Sequence, residues 1–223
     1  MTMNNKYIIR SHVSERIFRK IVKCFCDDFD ATQTSHITHV SRITINRLFD
    51  LFRKRIIELT TQDKKMRGSF EVDESYFGAK RIRGKRGRGA GGKIPVLGLL
   101  KRNGKVHVSI VKNCSKEALL PIIQGKVLSR SRVYTDGWTS YDGLITLGYK
   151  HYRIHHHENE FARGKNHVNG IESFWSYTKR RMRKFNGIRK SKFPLHLKES
   201  EYRWNNRLNM YNDLLKSFRN SPL

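Results

Sequence analysis

Acidic residues are scarce in this chain. Its 223 residues hold 19 Asp and Glu against 46 Lys and Arg, a formal net charge of +27. That excess goes far beyond what solubility needs and points to a polyanionic partner, nucleic acid first of all. The 12 Phe, 9 Tyr and 3 Trp lie in helix and strand patterns, which ribosomal and histone-like proteins rarely show to this extent. Cysteine is nearly absent as well. Cys24, Cys26 and Cys114 make neither a disulfide framework nor a CxxC zinc pair, so they fit a reducing compartment and read as small core fillers. No run approaches the roughly 18 apolar residues of a membrane span, and Met1 to Arg10 has no signal-peptide core.

What the chain does hold begins with three helical patterns. Val13, Ile17, Ile21 and Phe25 recur every four residues, as on one helix face. Asp30 and Gln33 have the spacing of a capping box, opening a short helix to about Ile37. Ser41 is a good N-cap for a third helix, whose stripe of Ile45, Leu48, Phe49, Phe52 and Ile56 runs to about Leu59. Three helices with a tight turn before the last predict a helix-turn-helix over residues 1–60. In that motif the start of the last helix enters the major groove. Here that means Ser41, Arg42, Thr44 and Arg47, side chains suited to phosphates and base edges. The alternative is a helical domain used only for packing. Residues 61–67 read as a polar linker.

From residue 68 the pattern changes to strands. Phe70, Val72 and Phe77 mark the first, with Asp73 in its middle and Glu71 on the same side. Residues 80–93 form a loop in which seven Lys or Arg alternate with five Gly. Arg81, Arg83, Lys85, Arg86 and Arg88 there suit a polyphosphate, with binding that weakens as salt rises. Two more strands, 95–100 and 105–111, flank an Asn103-Gly104 turn. A helix follows over 115–124, then a strand over 131–136 ending in Asp136, a short helix near Trp138 to Leu144 and a last strand over 150–155. His155, His156, His157 and Glu158 look metal-like, but neighbours in extended chain point apart, so they read as a polar loop near DNA. A helix from Val168 to Phe185 has a core face of Ile171, Phe174, Thr178 and Met182. Glu172 and Lys179 share another stripe, about 10 Å apart along the axis, and the helix then becomes strongly basic from Lys179 and Arg180 on. A closing helix, 192–209, is expected to pack across the sheet.

This order predicts an α/β fold: a mixed five-stranded RNase H-like sheet flanked by helices, over 68–223, behind the small all-α domain. In such a sheet the first and fourth strands are neighbours and a late helix covers their ends, so Asp73, Asp136 and Glu172 would converge. Taken singly, each acid has an ordinary reading: an edge-strand residue, an N-cap, a solvated helix face. Together they would repel unless divalent cations neutralised them, and oxygen-only ligands suit Mg²⁺ or Mn²⁺.

Thirty-five residues separate Asp136 from Glu172. With that spacing, Asp73, Asp136 and Glu172 resemble the DDE motif of insertion-sequence transposases. Residues 169–176 (Asn-Gly-Ile-Glu-Ser-Phe-Trp-Ser) and 135–138 (Thr-Asp-Gly-Trp) resemble the ISXO-like branch in particular. Some relatives carry an N-terminal zinc ribbon, for which this chain lacks the cysteines. Others use Asn as the third residue, which makes Asn169 a rival to Glu172; Lys179, seven residues after Glu172, favours the acid. The resemblance implies a bacterial, nucleoid-associated enzyme that binds the terminal inverted repeats of its element as double-stranded DNA. Two Mg²⁺ or Mn²⁺ ions would serve each site for cleavage and for strand transfer into target DNA. Lys179 would grip a phosphate, and paired ends imply at least a homodimer. An RNase H-like nuclease or resolvase, or a catalytically silent DNA-binding repressor, are the alternatives.

Overall fold

A computed structural model describes residues 5–61, 65–78, 92–154 and 168–223. In chain order the helices are α1 (Glu15–Cys26), α2 (Ala31–Thr38), α3 (Arg42–Thr60), α4 (Lys116–Lys126), α5 (Asn169–Arg183), α6 (Phe193–Asn205) and α7 (Met210–Asn220). The strands are β1 (Ser69–Phe77), β2 (Ile94–Lys101), β3 (Val106–Ile110), β4 (Arg132–Asp136) and β5 (Lys150–Ile154), with a 3-10 turn at Thr139–Tyr141. No described helix is long and apolar enough to cross a membrane. The chain forms two compact units, Met1–Thr61 with Lys184–Leu223, and Gln62–Arg183.

The first unit is all helical. Ser14 caps α1 through the Ile17 amide, and Asp30 and Gln33 close the reciprocal capping box on α2 that their spacing predicts. Helix α2 stops at His39, whose left-handed φ of 57° turns the chain and lets Ser41 cap α3. Phe52 is the centre of an aromatic cluster with Phe18, Phe25, Phe49 and Phe218.

Helices α6 and α7 depart from expectation: they join this unit and do not belong to the sheet unit. Tyr202, Met210, Leu214 and Phe218 complete its core. The physical reason is a buried charge cluster. Glu199, 0% exposed, accepts from Arg53 of α3 at 2.7 Å and from Arg203 at 2.7 Å. Arg203 also donates to the Phe25 and Cys26 carbonyls at the end of α1. An acid deprived of water needs such partners, and breaking one buried pair costs about 3–5 kcal/mol. In the sequence these charges look solvated, which is why α6 reads as a sheet-covering helix.

The second unit is a five-stranded sheet in the order β3-β2-β1-β4-β5. Strands β1, β2 and β3 form the antiparallel meander, while β4 and β5 run parallel to β1. This is the RNase H-like arrangement that the element order predicts. Met66 already pairs with Lys126 and Leu128 through backbone hydrogen bonds, so the expected linker ends earlier than residue 67. Phe70, Val72, Leu97, Leu99 and Val133 pack on one face with Leu119 and Ile123 of α4. The opposite face receives α5, because alternate residues of a strand point apart.

Helix α5 lies close on β2 where Gly98 offers no side chain. A Cβ built there would stand 2.5 Å from Trp175 Cζ2 and 2.8 Å from Ile171 Cδ1. Gly98→Ala is therefore expected to destabilise the chain by about 1–3 kcal/mol, the cost of overpacking. Gly125→Ala, in α4 with nothing within 4 Å of the new methyl, should be neutral or stabilising by about 0.5 kcal/mol. Urea unfolding of both variants measures the contrast.

Candidate active site

Strands β1 and β4 set the position of the two aspartates. Their parallel ladder ends with Glu71 beside Tyr134, and the strands then part. Two residues further along each strand come Asp73 and Asp136, on the same face by the period of two. The carboxyl ends of parallel strands are where α/β sheets place their ligands. Glu172 lies in the first turn of α5 and Lys179 two turns later.

Electrostatics tie these groups together. The Asp73 carboxyl is pushed up to about 6, first by burial and next by the charge of Asp136, with Glu172 adding to the effect. Hydrogen bonds oppose the shift: the Trp175 indole Nε1 donates to Asp73 Oδ2 at 3.0 Å. Burial lowers the Lys179 ammonium from its ordinary value against the pull of Asp73, and its Nζ lies 5.7 Å from the centre of the Phe77 ring. Asp136 Oδ1 accepts from the Trp138 amide at 3.3 Å, two residues on. Trp138, not Asp136, holds the N-cap position of the 3-10 turn, so the N-cap reading of Asp136 gives way to its place beside Asp73. A fourth acid stands close by. Glu74, facing the opposite side of β1, accepts from the Tyr141 hydroxyl at 2.5 Å. Burial and the charges of Asp73 and Asp136 raise it to about 7.

The acids gather at the carboxyl ends of β1 and β4 and the start of α5 without forming a finished cage. Among the described residues, no group of three His, Cys, Asp or Glu side chains stands ready to hold a metal ion. Mutual repulsion opposes closure, and N–H donors hold one oxygen of each aspartate. The atoms these acids offer a metal ion are carboxylate oxygens, the set that suits Mg²⁺ or Mn²⁺.

Of the remaining residues named from the sequence, Arg180 is exposed on α5. Arg81, Arg83, Lys85, Arg86 and Arg88, and the run 155–158, lie outside the described residues. On α3, Ser41 is taken up in capping: its hydroxyl meets the Thr44 amide at 3.3 Å and the Thr44 hydroxyl at 2.9 Å. Arg42 and Arg47 are exposed. So is Ile43, at 83%, which apolar periodicity passes over because it lies off the core stripe. Trp175 escapes sequence reasoning since an aromatic beside a core face looks like packing; Tyr141 and Glu74 escape it because strand and turn patterns do not pair distant residues.

Residues 65–205 match the family model of the ISXO2-like transposase domain. The chain belongs to that family. It is 48% identical over 102 residues to an uncharacterized transposase-like protein of Haemophilus influenzae, covering 46% of this chain and 82% of that protein. An uncharacterized protein in transposable element ISH50 of Halobacterium salinarum is 30% identical over 158 residues, covering 62% of this chain and 52% of the relative. Two solved structures, the Mos1 strand transfer complex and the Mos1 transposase paired-end complex with left transposon end, align over 90% of this chain and 77% and 78% of theirs. Their identities are 11% and 12% and their TM-scores 0.30 and 0.28, too slight a likeness to bear on the transposase chain.

The raised carboxyl gives this transposase a testable pH signature. An unfolded aspartate titrates near 3.9, below the folded value for Asp73 of about 6. The folded chain thus binds this proton more tightly. Its stabilising contribution is full below about pH 4 and is lost as pH rises through about 6. In EDTA at pH 7.5, Asp73→Asn should be more stable than wild type by on the order of 1–3 kcal/mol, with the difference vanishing near pH 4. Urea unfolding across that pH range checks it.

Proposed function

We propose that this transposase cuts the ends of its own insertion sequence and joins them to target DNA at a single centre built from Asp73, Asp136 and Glu172. The observation that carries the reading is the placement of Asp73 and Asp136 on one face, each two residues past the last pair of the parallel β1–β4 ladder, with Glu172 in the first turn of α5, in a chain of transposase family. Phosphoryl transfer needs little covalent chemistry from the protein and depends mainly on positioning and charge. A pair of divalent cations, when bound, supplies charge stabilisation at the attacking and leaving oxygens of an in-line displacement. The carboxylates would hold them. The raised Asp73 carboxyl fits this role, since a nearby cation relieves the crowding that favours its proton. Lys179 would hold a phosphate beside Asp73, and Arg180 would extend that grip along the backbone.

DNA recognition falls to the helical unit in this reading. Arg42 and Arg47 at the start of α3 would contact phosphates or guanine edges, and exposed Ile43 would meet a thymine methyl in the major groove. Arg81, Arg83, Lys85, Arg86 and Arg88 would add salt-sensitive contacts to flanking or target DNA. Paired ends call for a homodimer in the synaptic complex, working at the bacterial nucleoid.

The test uses duplexes carrying the terminal inverted repeats that flank the coding sequence. With Mg²⁺ the wild-type chain should nick them and join the 3′ ends to a plasmid. Asp73→Asn, Asp136→Asn and Glu172→Gln should each lower cleavage and joining about 1,000-fold or more, given what such charge stabilisation contributes, and leave end binding intact. EDTA should abolish both reactions. Cutting without joining would favour a nuclease or resolvase, and binding without cutting a repressor.

A further inference from the structure

Glu71 is the most deeply buried acid of the sheet unit's β1, 1% exposed, yet it plays no part in the chemistry above. It looks across the same face as Asp73. Its Oε2 accepts the Ile171 amide at 3.0 Å, and its Oε1 accepts Arg102 Nε at 3.0 Å. Ile171 lies in the first turn of α5, one residue before Glu172. The first amides of a helix have no partner within it, and their dipole end favours a negative charge. Glu71 is thus a cap reached from a different element. The contact is close: a Cβ at Gly170 would stand 2.8 Å from Glu71 Oε2 and 2.5 Å from Leu100 Cδ2.

Arg102 extends the link. Its backbone N–H donates to the Ser69 carbonyl at 2.8 Å, and its guanidinium lies 3.8 Å from the centre of the Tyr134 ring. Tyr134 stands beside Glu71 in the parallel ladder, two residues before Asp136. One buried ion pair therefore touches all three elements that carry the site acids: β1 itself, β4 through Tyr134 and α5 through Ile171. As a source of stability such a pair is poor value, because apolar residues of equal volume hold elements together at lower desolvation cost. Its hydrogen bonds are directional, however, and fix how far α5 slides along the sheet.

We propose that Glu71, backed by Arg102, is a positioning residue that sets Glu172 against Asp73 and Asp136. The proposal rests on the reading of those three acids as the reaction centre. It deepens that reading by separating the group that orients the helix from the groups that do the chemistry.

The test uses the full chain and the near-isosteric Glu71→Gln, with Glu71→Ala as a second variant. Amide hydrogen exchange by NMR in EDTA should show exchange at Ile171 about tenfold faster in Glu71→Gln and faster still in Glu71→Ala, since charge-assisted acceptance is lost. The amide of Leu97, paired with Ser109 in the β2–β3 ladder, should keep its protection. In Mg²⁺ the single-turnover rate of end cleavage should fall about tenfold to a hundredfold, the scale of a small misplacement of reacting groups, while the Kd for end DNA stays unchanged. Unaltered exchange at Ile171 would overturn the proposal. So would faster exchange with a wild-type cleavage rate, or loss of protection throughout the sheet. If the wild-type chain itself cleaves nothing in Mg²⁺, the reading of the three acids fails instead, and the exchange at Ile171 still decides whether Glu71 holds α5.

Discussion

Negative charge held against its own repulsion is the constraint on which the sheet unit depends. Asp73, Asp136 and Glu172 come from three separate elements, and burial and the charge of Asp136 push the Asp73 carboxyl up to about 6. Each element is nonetheless anchored near its acid. The Trp175 indole binds Asp73 and seats α5 over Gly98. Glu71 holds the start of α5, and Arg102 neutralises Glu71 while lying on Tyr134. On the far face, Tyr141 secures Glu74 next to Asp73. Preorganised charge of this kind costs stability in the resting protein and is useful only where a cation or a phosphate completes it.

The helical unit solves a related problem with the opposite sign. Arg53 and Arg203 are buried here and share the carboxylate of Glu199, with Asp50 and Asp28 as their second partners. The shared acid fastens α6 to α3, which adds a C-terminal segment to a unit otherwise built from the first sixty residues. Exposed basic residues at the start of α3 remain available for a polyanion.

Much of this was legible in the sequence. Capping signals located α2 and α3 because they are local: Asp30 with Gln33, and Ser41. The Asn103-Gly104 turn and strand alternation marked the meander, and Asp73 stood out because acids are disfavoured inside strands. The common face of Asp73 and Asp136 follows from strand order and period alone. The membership of α6 was not legible, since a buried Glu199 and a solvated one look the same until Arg53, 146 positions away, is known to meet it. Glu71 posed the same difficulty. Its alternation with Asp73 was visible, but a side chain reaching the backbone of Ile171, 100 residues on, leaves no periodic trace. Trp175 was hidden by ambiguity, because one aromatic ring serves packing and hydrogen bonding at once.

The central claim is that Asp73, Asp136 and Glu172 together receive a divalent cation. Isothermal titration of the chain with Mn²⁺ at pH 6, repeated in buffers of different ionisation heat, tests it most directly. The account predicts saturable binding that releases roughly half a proton per site from Asp73, because ligands must deprotonate on coordination. It also predicts that both binding and release vanish in Asp73→Asn. Saturable binding of equal strength and equal proton release in wild type and Asp73→Asn, or none in either, would contradict it.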